Sequence, residues 1–137
     1  MKRILFLIPA FLLVGFVDAQ SLDPNASYIR KNYEADYEAT IKKHALNKWE
    51  TDYEMVVYEI NKQCDALVTL VDEFESDNTN IAYQAIQKWS IDGYKSKNIA
   101  EFKKLQVFGL KELMKMSCDW TMVQYEYDKQ VKAKSAF

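Results

Sequence analysis

The chain is 137 residues long, with 18 Lys plus Arg against 20 Asp plus Glu and a formal net charge of −2 at pH 7. That balance argues against a nucleic-acid surface, whose affinity rests on lysine and arginine neutralising phosphates. Three glycines, two prolines, two cysteines and one histidine exclude a glycine-rich phosphate loop, a sheet with many tight turns, the paired histidines of zinc hydrolases and covalent haem attachment.

Lys2 and Arg3 precede an apolar run over 4–17, and Val17 and Ala19 supply small residues at the positions that signal peptidase reads. These are the three regions of a secretory signal peptide. The run is shorter than the ~20 residues of a membrane-spanning helix, and no second one follows. The expectation is cleavage after Ala19, no membrane span in the mature chain, and a secreted or periplasmic protein. Residues 20–137 then form one domain with a frayed C-terminal tail. Asn25-Ala26-Ser27 is a glycosylation sequon, which makes Asn25 an acceptor if the host is eukaryotic.

Asp23 as N-cap and Pro24 at the first helical position predict a helix over 24–46, with Ile29, Tyr33, Tyr37, Ile41 and His44 at near-helical spacing. Asn47 and Glu50 resemble a capping box that restarts the helix, though it could also run through. Next comes the clearest stripe in the sequence: Trp49, Tyr53, Val56, Ile60, Cys64, Leu67, Val71 and Phe74. The polar stretch 75–80 predicts a kink or turn. A short helix with Ile81, Ala85 and Trp89 facing inward stops at Asp92 and Gly93. Asn98 and Glu101 open a last helix reaching Tyr127, apolar on two sides and therefore placed centrally. The predicted fold is an all-α antiparallel bundle of three long arms, the middle arm kinked near 75–80, or alternatively a four-helix bundle.

Cys64 and Cys118 are equidistant from residue 91. If the chain folds back there, they meet at one height, and an exported compartment favours a disulfide between them. Residues 50–87 sum to −8 and residues 88–134 to +4, which suits an acidic arm lying beside a basic one. Met114, Cys118 and Met122 stand at i, i+4 and i+8, where a helix would align three sulfurs in a face suited to Cu(I). Methionines filling gaps between helices give the simpler reading. His44 lacks an identifiable nucleophile or orienting acid. Asp72, Glu73, Glu75 and Asp77 do not match calcium-loop spacing. Tyr58, Tyr83 and Tyr94 are surplus to the stripes and could mark a partner surface.

The expected role is a non-catalytic protein-binding or structural module without a cofactor, its partner being another protein. The alternative is a carrier of a soft metal or of an apolar molecule held between helices. A hydrolase using carboxylates ranks last, because no carboxylate pair can be placed.

Overall fold

Asp23 closes the first turn of α1 (Pro24–Asn32), its carboxylate accepting from the Ala26 amide at 2.9 Å. That is the start which the Asp-Pro pair predicts. The structure is a computed structural model that describes residues 21–91, 102–104 and 108–137. The leader 1–19, the turn at Asp92 and Gly93, Tyr94 and the helix start at Asn98 lie outside the described residues.

The first arm is less regular than its periodicity suggests. Tyr33, at φ −135° and ψ 45°, leaves helical space and ends α1. The chain resumes as α2 (Glu34–Tyr37), one π-helical turn over Glu38–Lys42, and α3 (Lys43–Trp49). Within the wide turn the Thr40 hydroxyl donates to the Asp36 carbonyl at 2.7 Å, competing for an acceptor that the backbone ladder would use. Helix continues through Asn47, and the break comes at residues 50–52. There Glu50 adopts φ 54°, the Asp52 amide closes a turn onto the Trp49 carbonyl at 2.9 Å, and Asp52 caps the next helix through the Met55 amide.

Helix α4 (Tyr53–Glu73) is the hub. Val56, Ile60, Cys64 and Leu67 of the predicted stripe are buried, while Tyr53 at its head is 64% exposed. A second buried set, Glu59, Gln63, Ala66 and Leu70, widens the covered surface. A helix covered this broadly packs on more than one side, and α4 touches α1, α3 and the last helix. Centrality therefore belongs to α4, not to the last helix.

After α4, Phe74 is extended, a 3₁₀ turn spans Ser76–Asn78, and α5 occupies Thr79–Lys88. Residues 102–104 are helical, and beyond them lie α6 (Leu110–Leu113) and α7 (Trp120–Lys134). Gln63 meets Asp119 and Trp120 at the start of α7, and the Glu75 amide donates to the Tyr127 hydroxyl farther along, so α4 and α7 run parallel. The Asp119 amide donates to the Trp89 carbonyl, Lys88 pairs with Glu126, and Lys134 reaches the Asp77 carbonyl and Asn78, so α5 and α7 run antiparallel.

The chain thus reverses at 74–78 and does not merely kink. The Phe74 ring packs against Phe108 with centroids 4.5 Å apart, and this contact helps hold the extended exit. The long last helix is also interrupted: 114–119 is a buried connecting segment between α6 and α7, and Ser90 forms a lone antiparallel bridge with Cys118. The tail from residue 129, predicted to fray, continues α7 to Lys134, with Val131 against the core. The architecture is an all-α bundle, with no strand among the described residues.

Candidate functional site

The polar centre of the molecule is built on α4. Glu59 is fully buried and receives hydrogen bonds from Gln63 (2.8 Å), Trp49 Nε1 (3.2 Å) and Lys48 (3.3 Å), with Lys62 at 3.5 Å. Burial pushes its pKa up. The Gln63 and Trp49 donors, with Lys62 and Lys48, outweigh this and hold the carboxyl below its ordinary value. Gln63 also donates to Asp119 at 2.9 Å, and its carbonyl oxygen accepts from the Trp120 amide. All of its amide hydrogens are used. The signal for these residues is present in the sequence: 56, 59, 63, 66 or 67, and 70 continue steps of three and four, a core face interrupted by two polar residues.

Beside Gln63 lies a small cavity of about 10 Å³, bordered by Thr40, Ile41, His44, Met116, Ser117, Cys118 and Trp120. His44 Nε2 is buried and has no hydrogen-bond partner. The space matches a single water-sized occupant. The structure thus gives His44 an environment that its position in the sequence did not reveal.

Cys64 and Cys118 are both buried and unbonded, which corrects the predicted disulfide. Their levels do correspond, because α5 retraces the end of α4 and brings Trp89 and Asp119 back to the height of Gln63. It is Gln63, however, that points at this junction. Cys64, one residue and about 100° farther round the helix, looks instead toward Tyr37, Asp23 and Asp65. Burial, with Asp23 and Asp65, pushes the Cys64 thiol up to about 12. Burial and Asp119 raise Cys118 as well, and its Sγ lies 3.9 Å from the Ile86 carbonyl.

The sulfur face of Met114, Cys118 and Met122 is not assembled as predicted. Met114 caps α6, Cys118 sits in the bridge to Ser90, and Met122 lies in the first turn of α7, so no single helix aligns them. Among the described residues, no three His, Cys, Asp or Glu side chains converge on a metal position.

An open depression of about 630 Å³ runs between α1, the π-helical turn with α3, and the first half of α4. Its apolar lining includes Leu22, Leu46, Val56, Val57 and Ile60, with Tyr37 and Tyr53 beside them. Arg30, Glu38 and Lys42 supply its charges. Lys42 is paired with Glu38 at 3.1 Å, whereas Arg30 has no ion pair among the described residues. Tyr58, on the same helix, is 55% exposed, but Tyr83 is buried and donates to the Phe102 carbonyl at 2.6 Å.

Asn25 lies in the first turn of α1, and its Nδ2, the atom a glycan would use, donates to Asp65 at 2.9 Å. Of the acidic turn, Asp72, Glu73, Glu75 and Asp77 are all exposed. Glu73 stands against Asp128 of α7.

The chain matches no protein-family model, and no curated protein or solved structure is detectably similar to it. No helix among the described residues is long and apolar enough to cross a membrane.

Proposed function

We propose that this chain is an exported, non-catalytic binding protein that takes an amphipathic helical segment of another protein into the groove between α1, α3 and α4. The groove itself is the observation that supports this reading. Its α4 wall offers exposed Tyr53 and half-buried Val57 above a floor of buried Val56 and Ile60, residues spaced by three and four along one face, as a helix laid in a groove requires of its contacts. Arg30 at the edge, which has no ion pair among the described residues, would meet a carboxylate on the partner and fix its register, a role in which rim charges set orientation and association rate. Export rests on the leader at 1–19, and a secreted product beginning at Gln20 would establish it by intact mass.

The groove is tested by selecting from a displayed library of amphipathic helical peptides, using the purified protein and its Val57→Asp and Arg30→Glu variants, each checked for helicity by circular dichroism. Selected peptides should carry apolar residues at i, i+3 or i+4, and i+7 together with an acid. They should lose binding at least tenfold to either variant. Failure to enrich any such peptide, or equal binding to Val57→Asp, would overturn the proposal. Enrichment of nothing, together with tight binding of a long-chain fatty acid, would assign the groove to an apolar ligand instead.

A further inference from the structure

We propose that the small cavity between α3 and the 114–119 segment is a binding site for a single soft monovalent cation, Cu(I), with His44, Met116 and Cys118 as its donors. The inference is independent of the groove. The three residues border one space of about 10 Å³, large enough for one ion or one water and too small for anything larger.

Two of the other polar groups of the lining are already engaged. Gln63 is saturated by Glu59, Asp119 and the Trp120 amide, and Thr40 gives its hydrogen to Asp36. The lining also holds His44, whose buried Nε2 has no partner, Met116 with its thioether, and Cys118, whose thiol has only a long contact to the Ile86 carbonyl at 3.9 Å. Sulfur atoms are weak hydrogen-bond partners and offer a water little. An imidazole, a thioether and a thiolate are the ligands that select Cu(I) over harder ions.

Binding would proceed by donation of an electron pair from Cys118 Sγ to the ion as the thiol proton leaves to solvent, so uptake releases one proton and changes no oxidation state. His44 would contribute the Nε2 lone pair in its neutral form, and Met116 its sulfur lone pair. The predicted face of Met114, Cys118 and Met122 thus shares one residue with this site; Met116 comes from the same 114–119 segment, and His44 comes from α3.

The test is titration of the purified protein with Ag(I), a redox-silent stand-in, and with Cu(I) against a chromophoric chelator, following proton release and the His44 imidazole resonances. The variants are Met116→Leu and His44→Gln, both close in volume, and Cys64→Ala as the control at the other buried thiol. One equivalent should bind, release one proton, shift the His44 signals and raise the unfolding temperature. Met116→Leu and His44→Gln should weaken affinity at least tenfold, and Cys64→Ala should leave it unchanged. The proposal fails if no ion binds, if the two thiols bind equally, or if Met116→Leu and His44→Gln bind as the parent does. In each of those cases the cavity belongs to a water held by His44 and Ser117.

Discussion

Glu73 shows how one side chain can make stability depend on pH. It is the last residue of α4, where the unpaired carbonyls of the helix disfavour negative charge. Desolvation, then the hydrogen bond and charge of Asp128, push its carboxyl up to about 7, against a smaller opposing effect of Gln124. A carboxyl raised in the folded state binds more protons there than in the unfolded chain, so its penalty is absent below the ordinary carboxylate range and grows as pH rises toward 7. Removing the charge should therefore help progressively above the ordinary carboxylate range, and most at neutral pH and above. Glu73→Gln is expected to raise the unfolding temperature by about 1–4 °C at pH 8, a small gain because the site is exposed, and to leave it unchanged at pH 4. Equal effects at both pH values in a calorimetric comparison would remove the Asp128 pairing as the cause.

At the scale of elements, the informative positions are the breaks. Asp23 and Pro24 mark the start of α1 by their own chemistry, and the α4 stripe through Val56, Ile60, Cys64 and Leu67 follows from periodicity alone; both were legible. The break between α3 and α4 was not, because Glu50 occupies a backbone conformation, φ 54° and ψ −110°, that ordinarily asks for glycine. The reversal at 74–78 was ambiguous for a related reason. Its polar residues fit a kink and a turn alike, and the deciding contacts, Phe74 with Phe108 and Glu75 with Tyr127, are distant in sequence. The cavity around His44 joins α3 to the 114–119 segment, so no local pattern could reveal it. Strain at Glu50 is directly testable. Glu50→Gly should relieve it and stabilise the protein by about 1 kcal/mol net of the greater freedom of glycine in the unfolded chain. Glu50→Ala, which keeps a Cβ, should not. Thermal unfolding that ranks alanine equal to glycine would show that the turn is unstrained.

Across the whole molecule, the layers are joined through Gln63. On one side it holds Glu59, which in turn accepts from Trp49 and Lys48 of α3; on the other it holds Asp119 and the Trp120 amide at the start of α7. A single amide thus couples the first arm to the last through the hub helix. Such a network specifies the arrangement only while every member is satisfied, because an unpartnered buried polar group costs more than its hydrogen bond contributes. Gln63→Leu keeps the volume roughly but leaves the Trp120 amide without its acceptor and takes one hydrogen bond each from Glu59 and Asp119, and should cost about 2–4 kcal/mol. Glu59→Gln removes the charge that Lys48 and Lys62 answer, and should cost less. If the two residues act as one unit, the double variant will cost less than the two single effects together, by about 1 kcal/mol or more in urea titrations. Additive effects within about 0.5 kcal/mol would mean that Glu59 anchors α3, and Gln63 anchors α7, as separate contacts, and that the bundle is two hairpins sharing a helix and not one coupled core.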